Sequence, residues 1–126
     1  MLSVDRFIAA PPSVVWNILV DLDLWPQWGP TVSAAWLDPP HTQLEADVTG
    51  AVRTALGLTV PFVITEFEPG RYWAWKVAGI PATQHRVEPS GSGARASMSV
   101  PWWAAGYLSV CAIALHRIDV IATTGP

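Results

Sequence analysis

The chain has 126 residues, 51% of them hydrophobic and 13% charged, with a formal net charge of -3, eight tryptophans and one cysteine. That length predicts a single domain over residues 1–126, and so apolar a composition excludes disorder. Scattered cations on an acidic chain exclude a nucleic-acid surface; lone Cys111 excludes an internal disulfide, and no Cys/His spacing suits zinc, so no metal and no cofactor is called for.

From the N-terminus, Leu2 to Ala9 reads as a strand with an imperfect period of two, through Leu2, Val4 and then Phe7 with Ile8. Ala10-Pro11-Pro12-Ser13 breaks it and opens a helix over Pro12 to Val20, because proline is tolerated in a first turn whose N–H groups lack intrahelical partners. Asp21 or Asp23 caps a second short helix, Leu22 to Trp28, limited by Pro26 and ended by Gly29-Pro30. The period then changes to two. Strands are predicted at Val32–Leu37, Leu44–Thr54 and Leu58–Phe67, the last marked by Pro61 as an edge or a bulge. Glu68-Pro69-Gly70-Arg71 is a tight turn, and strands follow at Tyr72–Val77, Thr83–Glu88 and Ala94–Val100. Trp102 to Ala122 reads as one long helix with Trp103, Tyr107, Val110, Cys111, Ala114, Leu115 and Ile118 along a stripe, and Thr123 to Pro126 as a frayed end.

No positively charged start precedes an apolar run at the N-terminus, so a cytoplasmic protein is expected. The apolar run Pro101–Leu115 meets His116, Arg117 and Asp119 before reaching the ~20 residues of a membrane span, so no integral span is expected.

Alternation assigns faces. Lys76 belongs in water, which turns Trp73, Trp75 and Val77 inward; Arg86 and Glu88 do the same for Thr83, His85 and Val87; outward Ser97 and Ser99 leave Met98 inside. Candidate ligand-binding residues are therefore Trp73, Trp75, Val87, Met98, Trp103, Tyr107 and Cys111, with rigid indoles as stackable walls or simply as core. His85 is the ionisable group this pattern places inside, either a proton-transfer group or a hydrogen-bonded structural histidine. Asp47 or Arg53 is a candidate for a polar patch at a cavity mouth; Arg117 is expected in solvent or paired with Asp119 or another surface acid, and Glu66 is expected to face outward. Trp16 and Trp28 are read as core or loop packing. No nucleophile elbow, phosphate loop or HExxH motif is present.

The opening run Ala10-Pro-Pro-Ser-Val-Val-Trp16 with Asp21 and Trp28, the strand-turn-strand Glu66-Phe-Glu-Pro-Gly-Arg71 with Trp73-Ala-Trp75, and His85-Arg-Val-Glu-Pro89 with Gly91-Ser-Gly-Ala-Arg95 resemble the START/Bet v 1-like (SRPBCC) superfamily, polyketide cyclase/dehydrase-like. The resemblance covers essentially the whole chain and implies an α+β helix-grip fold: a curved antiparallel sheet of about six to seven strands around a long C-terminal helix, with two short helices after the first strand. It also implies an internal apolar cavity and, in a cyclase, aromatase or dehydratase, a proton moved by His85, Tyr107 or a bound water. The chain departs from that pattern where Pro101-Trp102-Trp103 enters the last helix at once.

Three functions remain open: a non-catalytic binder or carrier of a small hydrophobic, aromatic or polyketide-like molecule; an enzyme acting on such a molecule; and a protein-interaction module with an exposed apolar patch. The expected partner is a small hydrophobic molecule, with the chain a monomer or homodimer and no nucleic acid involved.

Overall fold

A computed structural model describes residues 1–124. Its elements are β1 (Leu2–Ile8), α1 (Pro12–Val20), a 3-10 turn (Leu22–Leu24), α2 (Trp25–Trp28), β2 (Val32–Leu37), β3 (Thr49–Thr54), β4 (Thr59–Glu68), β5 (Tyr72–Val77), β6 (Ile80–Ser90), β7 (Gly93–Val100), a 3-10 segment (Trp102–Tyr107) and α3 (Leu108–Thr123). One antiparallel sheet has the order β1-β7-β6-β5-β4-β3-β2, and α1 and α2 bridge its two edge strands. This is the helix-grip arrangement that the resemblance implied.

The inward register follows the alternation read from the sequence: Trp73, His85, Val87 and Met98 are buried on the face that meets Cys111, Ala114, Leu115 and Ile118 of α3. Phe7 instead lies outside and exposed, leaving Ile8 to fill the core from β1. The Arg6 Nε donates to Asp119 Oδ2 at 2.6 Å and ties β1 to α3. Asp119 therefore belongs to Arg6, and Arg117 and His116 are exposed on the outer side of the helix.

Four expectations are corrected. The third strand begins at Thr49 rather than Leu44, because Asp47 takes a left-handed φ of 67° that breaks the ladder, although Leu44 and Val48 remain buried. Pro61 is not on an edge strand: β4 lies between β3 and β5, Pro61 stands opposite Ala51, one residue before the β5 ladder begins at Phe62, and the register shift falls between Ile64 and Glu66. The second short helix divides into the 3-10 turn, capped by Asp21 Oδ1 accepting from the Asp23 N–H, and α2. The C-terminal helix is also not continuous from Trp102: a 3-10 segment, Trp102–Tyr107, itself kinked at non-helical Ala104 (φ -108°, ψ 26°), precedes the 16-residue α3. Thr123 ends α3, and Gly125 and Pro126 of the expected frayed end lie outside the described residues.

By length and composition alone, Trp102–Thr123 is long and apolar enough to cross a membrane, longer than the run ending at Leu115 predicted. Its inner stripe is nevertheless committed to the sheet through Cys111, Ala114, Leu115 and Ile118.

Candidate functional site: an aromatic-floored cavity

The site begins with an unsatisfied helix end. The last carbonyls of a helix have no intrahelical donor. In α1 two of them, Ile18 O and Leu19 O, are taken by indole N–H groups, Trp28 Nε1 at 3.2 Å and Trp25 Nε1 at 2.9 Å. The Trp-Pro-x-Trp spacing puts both indoles three residues apart on α2, so one short helix caps α1 and turns two large rings beneath the sheet. Trp25 then stacks on Trp73 of β5, centroids 5.3 Å apart and planes within 5°, and meets Trp75 edge-on at 5.3 Å. On its other neighbour Trp73 stacks with the imidazole of His85 at 3.8 Å and 16°. Offset stacks of this kind add about 0.5–1.5 kcal/mol per pair beyond the area they bury.

The polar atoms within this stack form one chain of fixed direction. Trp75 Nε1–H can only donate, and it reaches Thr83 Oγ1 at 3.0 Å. The Trp73 carbonyl can only accept, and His85 Nδ1 lies 3.3 Å from it, so Nδ1 carries the proton. Nε2 is then an acceptor, filled by the Thr83 hydroxyl at 3.0 Å. Burial pushes the His85 pKa down to about 3, with the bond to the Trp73 carbonyl opposing the shift. At neutral pH this imidazole is uncharged and both nitrogens are engaged. The Trp73 indole N–H is the one buried side-chain polar atom among the described residues without a protein partner, so that ring contributes shape and stacking.

Above this floor a cavity of about 500 Å³ opens between the sheet and α3, within the ~300–1,000 Å³ usual for small-molecule sites. Trp73, Trp75, Met98, Trp103, Tyr107 and Cys111 all border it, as does His85. Val87 does not: it is buried in the core farther along β6, where alternation turns it inward but not toward the hollow. Neither Asp47 nor Arg53 reaches the cavity; both are exposed, and Arg53 lies over the outer ring of Trp36 at 5.9 Å. Trp16 is core, edge-on to Phe67.

Several wall residues escaped the sequence reading. Trp25 and Trp28 were read only within a short helix, Trp28 as core or loop packing, though their three-residue spacing was a usable signal. Val52 and Val60 come from strands whose inward parity could have been counted, and Val77 was turned inward by that count without being carried to the site, whereas Leu56 sits in a hairpin turn that no periodicity assigns to a site and Ile80 opens β6 ahead of the strand expected from Thr83. Ile80 follows a two-residue turn, Ala78-Gly79, with φ of 52° and 77°, which brings the end of β5 directly into β6.

At the mouth, Tyr107 Oη and Thr31 Oγ1 are 2.7 Å apart, joining the 3-10 segment to the start of β2. Burial raises the Tyr107 pKa and pushes the Cys111 thiol up to about 11, so both keep their protons at neutral pH. Among the residues bordering the cavity there is no Asp, Glu, Lys or Arg.

The family described as polyketide cyclase/dehydrase and lipid transport matches residues 1–109. This chain belongs to that family. A search of curated proteins finds no match. Among solved structures, a Mesorhizobium loti protein is 13% identical, with a TM-score of 0.75 and 99% of this chain and 98% of that one covered. The structure of Ara h 8.0201 is 11% identical, with a TM-score of 0.69 and coverage of 98% and 97%. The Aha1 dimer from Colwellia psychrerythraea is 14% identical, with a TM-score of 0.66 and coverage of 97% and 96%. Identities this low establish the shared fold alone; the family, whose description covers cyclases, dehydrases and lipid transport, is what points to hydrophobic-ligand binding.

Proposed function

We propose that this protein binds an uncharged, apolar small molecule, aromatic or polyketide-like, in the cavity, and carries it without proton transfer through His85. The observation that carries the reading is the wall itself: stacked indoles, aliphatic side chains and no ionised group, with the one imidazole neutral and hydrogen-bonded at both nitrogens. A charged ligand would lose its hydration there without compensation, whereas a flat uncharged ring system gains both burial and stacking. A general base needs a free acceptor within reach of the proton it takes, and His85 Nε2 is already filled by Thr83. The reading includes a cytoplasmic setting and either a monomer or a homodimer.

The test is a titration with the neutral fluorescent probe 1-aminoanthracene. Saturable binding is expected in the wild type, weakened at least tenfold by Ala114→Phe, which fills the hollow from α3. Binding unchanged by that substitution would place the probe elsewhere and end the reading.

A second reading, a cyclase, aromatase or dehydratase of the same kind of molecule, is favoured by one observation. The Tyr107 phenol borders the cavity with its Oη 2.7 Å from Thr31 Oγ1, a protonated hydroxyl that can turn from Thr31 to a ligand carbonyl. Turnover of a polyketide-like substrate that falls with Tyr107→Phe would favour this alternative over simple carriage.

A further inference from the structure

We propose that the mouth of the cavity docks on the surface of a neutral lipid bilayer. The proposal stands on the rim and not on the identity of any bound molecule. Leu56 of the β3–β4 hairpin, Ile80 of the β5–β6 hairpin and Trp103 of the 3-10 segment border the hollow, and they are 88%, 54% and 55% exposed. Their chain neighbours Leu58 and Trp102 are 63% and 78% exposed. Together with Met1 these are the most exposed large apolar side chains among the described residues, and apart from Met1 they come from three segments brought to one opening by the fold.

Charge identifies what covers them. The stretches that reach the mouth, residues 54–60, 77–84 and 96–111, contain no Asp, Glu, Lys or Arg; the cations nearest them along the chain, Arg53 and Lys76, are exposed at the strand ends that lead into the two hairpins. A partner that recognises by charge finds nothing to pair with among the rim side chains themselves, and two separate cations, Arg53 and Lys76, are too few to make binding depend on anionic lipid. An uncharged medium that accepts tryptophan and leucine from several separate loop tips at once is the interfacial zone of a bilayer, where binding scales with the apolar area buried and indole rings are favoured. Because the same residues line the opening, docking there would place the cavity mouth against the lipid phase, a path for an apolar molecule that avoids water.

Flotation with phosphatidylcholine vesicles tests this, using Leu58→Asp/Trp102→Asp, two exposed positions that do not border the cavity, and the milder pair Leu58→Gln/Trp102→Gln should the first fail to fold. The expected result is co-flotation of the wild type, equal at low and high salt, reduced at least tenfold in the variant, with 1-aminoanthracene binding in buffer and the melting temperature unchanged. A wild type that stays with the soluble fraction, or a folded variant that floats as well as the wild type, overturns the proposal. So does sedimentation showing a wild-type dimer that the variant dissolves while vesicles bind neither, because the rim is then a contact between two copies. Loss of probe binding in the wild type with flotation intact would end the ligand reading and leave the docking surface standing.

Discussion

The two ends of the cavity are built from the same kinds of residue and do opposite things. At the floor, Trp25, Trp73 and His85 stack face to face, their neighbours Trp28 and Trp75 close in edge-on, and all but one of the polar atoms in the cluster have partners. At the rim, Leu56, Ile80, Trp102 and Trp103 pack on little and stand in solvent. An indole is thus structural or available according to what surrounds it. Alpha-helix ends with unmet carbonyls and a facing strand fix the floor rings, while hairpin tips and a 3-10 segment leave the rim rings free.

The sharpest way to break this comparison is to truncate one ring from each end. Trp73→Ala removes a fully buried ring sandwiched between two others and is expected to cost about 3–5 kcal/mol in denaturant unfolding. Trp103→Ala, at a half-exposed position, is expected to stay within about 0.5 kcal/mol of the wild type. Equal losses at both sites would mean that the rim is part of the core.

The next effect is acid sensitivity at the floor. The fold accepts only neutral His85, whose pKa falls from an ordinary value of 6.5 to about 3, so between those values the unfolded chain binds the extra proton. The contribution of this group is complete above pH 6.5 and is lost as pH falls toward 3, with a slope reaching about 1.4 kcal/mol per pH unit. Urea unfolding of wild type and His85→Gln across that window should therefore give a flatter acid limb in the variant, since the carboxylates are common to both. Parallel curves would show that the imidazole is not sealed.

The smallest effect is at the rim. Ala78 holds a φ of 52° in the turn before Ile80, a conformation glycine adopts without a Cβ penalty. Ala78→Gly should stabilise by up to about 1 kcal/mol in thermal unfolding, less whatever glycine regains in the unfolded chain. A destabilised variant would mean that the Ala78 methyl contributes more than its backbone strain costs.

Much of the floor was legible before any coordinates. Lys76 and Arg86 belong in water, and strict alternation from them turns Trp73, Trp75, Thr83 and His85 inward, as found. The rim was not. Trp103 was read as part of a continuous helical stripe, but Ala104 interrupts that helix; Leu56 lies in a turn where side-chain direction has no period to count, and Ile80 opens β6 ahead of the strand expected from Thr83. Val87 shows the converse limit: parity gives the face of a strand but not the position along it at which a hollow begins or ends.

What the amino-acid order determined by itself was local and periodic: the order of elements, the inward face of each strand and the turns, with the helix-grip fold implied by the family resemblance that those elements carry. What only the tertiary structure decided was the pairing of distant groups. It joined the α1 carbonyls to the indoles of α2, gave Asp119 to Arg6 rather than to Arg117, closed both nitrogens of His85, and gathered three uncharged loop tips around one opening. Periodicity carries information over a few residues, whereas these contacts depend on how seven strands and a helix close on one another, which no short window of sequence contains.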